Sequence, residues 1–342
     1  MLNQDRPDMV TSRAQNFARD NSLESALRSL NDEIQTLHDP SNTDLQPCVV
    51  LIVGPPRCGS TLLMQWIAST RCFAYPSNLV ARFFGNPAFG FRVQQVLHDF
   101  DTRNQIGLRN DDQDVQFKSE LGRTMGALAP SEFWYWWRRF FQFPDIQQLT
   151  HDQLSNVDSH RFLSELSAMQ TVNTHPLVMK GMHMNWHLDY LAGLSDKFIF
   201  LRLKRELKYV AQSMLLARDQ FFGDRSRWWS YKPAEYAKLK ELSPIEQVAG
   251  QAFYTEQAIT NCLENVPQNQ IIEIEYEQFC SSPPAFWERL AKGLHQNGCD
   301  IPNHCPIDVT YSKSEQTKIL PEEFEQLESA CISLENSVDK SR

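Results

Sequence analysis

The chain has no run of about 18 apolar residues, so no segment reads as a membrane-spanning helix. Its opening, Met1 to Val10, is polar and lacks the apolar stretch of a secretory leader. A cytoplasmic location is therefore expected. Positive charge is also short: 33 Lys and Arg face 42 Asp and Glu, a formal net charge of −9. General nucleic-acid binding leaves a basic footprint, which this balance excludes. A local anion site remains compatible with it, because Arg202, Lys204, Arg205, Lys208 and Arg218 crowd one short stretch. The eight cysteines contain no CxxC pair. Cys299, His304 and Cys305 come nearest to a metal cluster but lack a fourth ligand at sensible spacing. Reduced thiols and no metal are expected. Internal repeats and low-complexity tracts are absent as well.

What is present is enough to bury a core. The chain has 342 residues, 42% of them hydrophobic, and its aromatics crowd into 117–143 and 221–231. Leu23, Ala26, Leu27, Leu30, Ile34 and Leu37 recur at helical spacing, so 22–38 reads as an amphipathic helix capped by Asn21 or Ser22. Cys48–Val53 is a continuous apolar run of the kind a central parallel strand shows. A Gly/Pro turn follows it, and then a helix from Ser60 carrying Leu62, Leu63, Trp66 and Ile67. Lys197–Leu203 followed by Leu207, Val210, Ala211, Met214 and Leu215 repeats the strand–helix pattern. Leu177–Lys180 and Ile271–Tyr276 are further strands, and Pro283 and Pro284 open another helix. Such alternation predicts an α/β fold with a central, mostly parallel sheet flanked by helices. Residues 1–46 are expected to form a mobile lead-in and the first helix, and 47–320 the main domain. Within it, 80–170 is a largely helical insertion over one edge of the sheet, on the acceptor side. Residues 321–342 are a last helix and tail.

The informative segment is Gly54–Thr61, GPPRCGST, placed where a strand feeds a helix. Backbone N–H groups and the helix dipole make an anion site there, and Gly59 allows close approach. The spacing nearly matches the triphosphatase loop G-x-x-x-x-G-K-[ST], but Ser60 stands where that loop has its Lys. Arg57 supplies a cation earlier in the loop. Without the Lys, a Mg–ATP reading loses its main charge clamp. PPRCGSTLL resembles the 5′-phosphosulfate-binding loop of the sulfotransferase family, with Arg57 at the basic position and Gly59, Ser60 and Thr61 in register. Cys58 stands where Ser or Thr is more usual. RELKYVAQSMLLAR is similar to the family's 3′-phosphate motif, with Arg205 after a strand and Ser213 eight residues on. Glu206 and Leu207 replace the frequent Asp-Pro.

The resemblance implies a P-loop-NTPase-like fold. It also implies transfer of a sulfuryl group from 3′-phosphoadenosine-5′-phosphosulfate (PAPS), the co-substrate, to a hydroxyl or amine of a small-molecule or glycan acceptor. Arg57, Cys58, Gly59, Ser60, Thr61, Arg205 and Ser213 would hold the nucleotide. Lys180 and His183, just after a strand, are similar to the active-site Lys and His of cytosolic members, one residue further apart. Arg57, Lys180 and His183 are thus the catalytic candidates, with Glu120, Glu132 and Asp99 as other bases. Trp228 or Trp229 is a candidate to stack on adenine. Tyr276 and Glu277 read as structural. A kinase or triphosphatase with an altered loop, and a catalytically inactive binding protein of the same fold, stay open.

Overall fold

The computed structural model describes residues 20–108, 117, 119–120 and 122–339, with the side chains of Glu120, Val338 and Asp339 excluded. The expected lead-in over 1–19 and the end of the tail lie outside these residues. The chain starts with α1 (Asn21–Ile34), β1 (Val49–Val53) and α2 (Ser60–Ser69). Then come α3 (Pro87–Gln94), the hairpin of β2 (Ser119–Glu120) and β3 (Arg123–Thr124), α4 (Trp134–Phe140), α5 (His151–Ser155) and α6 (Ser159–Val172). β4 (Leu177–Lys180), α7 (Leu188–Leu194), β5 (Phe198–Lys204) and α8 (Leu207–Phe222) follow. The last elements are α9 (Tyr236–Leu239), α10 (Pro244–Leu263), β6 (Ile271–Glu275), α11 (Tyr276–Ser281), α12 (Pro283–Gln296) and α13 (Pro321–Asp339).

Four parallel strands form the central sheet in the order β4-β1-β5-β6. β1 lies inside, and all five of its residues are buried, which is why its sequence is apolar without alternation. Alternate residues still serve two different cores. Val49, Leu51, Val53, Leu177, Met179, Phe198 and Phe200 face Phe133, Trp136, Trp137 and Phe162 of the 80–170 region. Val50, Ile52, Val178, Ile199, Leu201 and Leu203 face Trp66 of α2, Phe279 of α11, and Phe286, Trp287 and Leu290 of α12. The region 80–170 therefore lies over a face of the sheet rather than an edge, because its aromatics need a broad apolar surface to cover. Among the described residues no helix is long and apolar enough to cross a membrane.

Local expectations agree with the structure at most boundaries. The exceptions have simple reasons. Asp20, not Asn21 or Ser22, caps α1, its carboxylate accepting from the Ser22 and Leu23 N–H groups. Tyr276 opens α11 instead of ending β6. Cys48 and Cys299, 251 residues apart in sequence, are joined as a disulfide with Cα atoms 6.1 Å apart. That corrects the expectation of eight reduced thiols. The start of β1 and the turn after α12 border the same core, and the bridge takes Cys299 away from His304 and Cys305.

Candidate active site

Arg57, Lys180 and Arg205 follow or end β1, β4 and β5 at the carboxyl ends of the parallel strands, where doubly wound sheets place their crevices. The loop after β1 is conformationally demanding. Gly54 has φ +156°, Arg57 +71° and Gly59 +101°. A Cβ on Gly59 would lie 2.4 Å from a ring carbon of Tyr276, so only glycine fits beneath that ring. Gly59 is the N-cap of α2, has no side chain to cap it, and receives the first helical bond from Leu63. The helix thus opens toward the loop mouth with its dipole uncapped. Cys58 turns inward: its thiol is fully buried against Gly54, accepts from the Ser60 N–H, and burial pushes its pKa up to about 11. Only the backbone of Cys58 belongs to the mouth.

Arg57 links the two predicted anion motifs. Its Nε donates to Ser213 Oγ on α8 at 2.9 Å. Arg205, which follows β5, donates from Nη1 to the Arg57 carbonyl at 2.9 Å and from Nη2 to the Ser314 carbonyl at 2.6 Å. Its guanidinium lies 4.4 Å from the Tyr276 ring centroid, and its buried Nε has no partner among the described residues. Burial, and then the charge of Arg205, hold the Arg57 pKa below its usual value. Two guanidinium groups that oppose each other in this way are poised for an anion.

A second constellation adjoins the first. Lys180, at the end of β4 and 4% exposed, donates to Thr61 Oγ1 at 2.8 Å and to Glu132 Oε1 at 3.0 Å. The other oxygen of Glu132 accepts from Trp134 Nε1 at 2.7 Å. Gly122 lies over the same spot: a Cβ there would be 3.7 Å from Thr61 Oγ1, 3.8 Å from Glu132 Oε1 and 4.0 Å from Arg57 Nη1. Burial raises the Glu132 pKa, but the Lys180 ammonium, His183 and hydrogen bonds from Lys180 and Trp134 outweigh it. The carboxyl ends below its usual range. His183 is 1% exposed, with its ring centroid 3.7 Å from that of Trp134 and 5.9 Å from that of Tyr231. Neither ring nitrogen has a partner among the described residues, and burial lowers its pKa to about 3.

The remaining candidates are placed elsewhere or occupied. Arg202 pairs with Glu256 and Glu273 and donates to Thr260. Arg218 is fully buried, bonded to Gln247 and the Arg225 carbonyl, and its guanidinium lies 5.0 Å from the Trp228 ring centroid. Trp228 also meets Tyr236 edge-on, and Trp229 packs on Phe221. Asp99 bonds His98 on an exposed turn, and the Glu120 side chain lies outside the described residues. Sequence reasoning missed Asn185, whose amide bonds the Gly54 backbone, and Ser314, whose carbonyl holds Arg205. Neither carries a motif. Carboxylate oxygens of Glu206, Glu277 and Glu315 lie within 4.8 Å of one another. Burial raises the Glu277 pKa, an effect the nearby Arg205 charge partly offsets.

Comparison with known proteins gives a family match. A family model described as "Sulfotransferase family" matches residues 47–297. Solved structures similar to this chain include sulfotransferase STF1 from Mycobacterium tuberculosis H37Rv, at 13% identity over 90% of this chain and 78% of that one, TM-score 0.48. Sulfotransferase STF9 from Mycobacterium avium is 12% identical over 80% of this chain and 68% of that one, TM-score 0.45. The sulfotransferase domain of the Synechococcus PCC 7002 olefin synthase is 12% identical over 88% and 97%, TM-score 0.40. No curated protein matches the chain.

Proposed function

The chain belongs to the sulfotransferase family, and from that premise we propose that it moves a sulfuryl group from PAPS to a hydroxyl or amine of a small-molecule or glycan acceptor. One observation carries the reading of the donor: Arg57 and Arg205, from motifs about 150 residues apart, meet at Ser213 and the Arg57 carbonyl. The 3′ and 5′ phosphates of one nucleotide hang from ribose carbons with a single carbon between them, so the groups that grip them must stand near one another. The uncapped start of α2 and an Arg205 Nε without a partner among the described residues fit a ligand with two anionic groups. The loop also lacks the Lys of a Mg–ATP site, with Ser60 in its place.

When bound, the donor supplies sulfur for in-line attack: the acceptor atom forms a bond to sulfur as the bond to the nucleotide's phosphate oxygen breaks. Arg57 and the first amides of α2 stabilise the charge that grows on the leaving phosphate. Lys180 binds the equatorial sulfuryl oxygens and keeps Glu132 ionised. Glu132 takes the acceptor's proton, since it is a carboxylate at neutral pH and only half-buried. His183, the first base candidate on sequence grounds, is held neutral inside an aromatic cage and does not fill that role in this scheme. Calorimetric titration with adenosine 3′,5′-bisphosphate, set against Mg–ATP, tests the reading. Tight binding of the bisphosphate, weakened in Arg57→Ala and Arg205→Ala, is expected. Binding of Mg–ATP alone would overturn it. Labelled donor offered to a mixed acceptor extract then separates an enzyme from a binding protein of the same fold.

A further inference from the structure

We propose that Asn185 is a positioning residue for the 5′-phosphate loop, holding the backbone of Gly54 so that the loop amides and Arg57 face one point. The inference rests on the nucleotide-site reading above. Its starting point is where the sheet stops. The last ladder bond from the β4 side reaches β1 through the Gly181 N–H, which donates to the Ile52 carbonyl at 2.8 Å. Gly54 lies just beyond, is buried, and still has an N–H and a C=O to satisfy. Asn185, fully buried, supplies both partners: its Nδ2 donates to the Gly54 carbonyl at 2.8 Å, and its Oδ1 accepts from the Gly54 N–H at 3.4 Å.

A primary amide is suited to this because donor and acceptor lie in one plane on one carbon. Asp lacks the donor, and Ala lacks both groups. Gly54 has little freedom to find other partners. A Cβ there would lie 2.7 Å from the Leu203 carbonyl and 2.8 Å from Cys58 Sγ, so the backbone is wedged between β5 and its own loop. Asn185 ends the turn Met182–Met184, which begins two residues after Lys180. Lys180 in turn bonds Thr61 Oγ1. The segment Lys180–Asn185 therefore grips the phosphate loop at its first residue and its last, Gly54 and Thr61. The loop's shape is set from β4, the strand that also carries the Lys180–Glu132 pair.

The test compares three probes by calorimetry on the full chain: adenosine 3′,5′-bisphosphate, adenosine 5′-phosphate and adenosine 3′-phosphate. Asn185→Ala should weaken the first two about tenfold, the equivalent of one lost hydrogen bond of preorganisation. Affinity for the 3′-phosphate, gripped by Arg205 and Ser213, should stay unchanged. Asn185→Asp, nearly the same shape, should show the same selectivity with a larger loss, because a carboxylate then stands behind the loop. It also provides the test should the alanine variant fail to fold, with folding checked by thermal melting. Equal weakening of all three probes would mark Asn185 as merely structural and overturn the inference, as would full affinity in both variants. A wild-type chain that binds none of the three overturns the nucleotide reading, and this inference with it.

Discussion

The donor and acceptor halves of the proposed site are built in different ways. The donor half is made from the ends of neighbouring parallel strands: the loop after β1, Arg205 after β5, and α2 and α8, which follow them. In the proposed scheme its ligating groups are largely backbone amides and two guanidinium groups, and its geometry comes from the sheet. The acceptor half is made from side chains that the 80–170 region lays over the sheet. Glu132 and Trp134 come from that region, and they meet Lys180 and His183 from β4 and its turn. A half made from strand ends leaves a contiguous motif in the sequence. A half made by packing one segment over another leaves scattered residues that only the fold joins.

If the two halves act separately, variants in one should spare the other. Glu132→Gln should lower kcat by about 10²- to 10⁴-fold, the usual worth of a general base, with affinity for adenosine 3′,5′-bisphosphate retained. A parallel loss of that affinity, read by calorimetry, would break the division. Arg57→Ala and Arg205→Ala should each weaken the bisphosphate about 10- to 100-fold, the worth of a charge-assisted hydrogen bond. Their thermal melts should be little changed.

The pH response sharpens the comparison further. His183 and His187 have folded pKa values lowered to about 3 and about 4, from 6.5, in each case chiefly by burial. The unfolded chain therefore takes up these protons first. Stability is full above pH 6.5 and is lost as pH falls toward those folded values, by at most about 1.4 kcal/mol per pH unit for each histidine. Urea melts from pH 7 to 4.5 should show the slope, and His183→Asn should reduce it. The rate profile should have no inflection near 6.5, because the proton goes to Glu132. An inflection there that vanishes in His183→Asn would reinstate the imidazole as the base. The smallest effect belongs to Tyr276. Tyr276→Leu removes the ring under Arg205 and should weaken the 3′-phosphate by about two- to fivefold, the lower end of a cation–π contact's worth, whereas Tyr276→Phe should not.

Much of the donor half could be read from the chain alone. Gly54–Thr61 announces itself because a tight turn between a buried strand and a helix needs glycine at left-handed positions, and that need is local. Arg205 and Ser213 could be paired because eight residues place them on one strand end and the helix it feeds. Arg202 lies in the same stretch, yet its role turned on Glu273 of β6 and Glu256 of α10. Arg218 belongs to the same basic stretch and is wholly buried on glutamine amides and Trp228. Glu132 stood among several carboxylates until Lys180 was seen to touch it. Asn185 and the Cys48–Cys299 bridge had no local signal at all, since their partners are 131 and 251 residues away in sequence.

By itself the sequence determined what short-range physics controls: apolar runs that become buried strands, helical stripes, and the glycines and cations of a phosphate loop. The tertiary structure alone decided which carboxylate meets Lys180, that Arg205 meets the Arg57 backbone, and that His183 is kept neutral. Those outcomes depend on strand order and on one segment covering the sheet. Desolvation and charge pairing act between side chains close in space, and the spacing of residues along a chain does not report that distance.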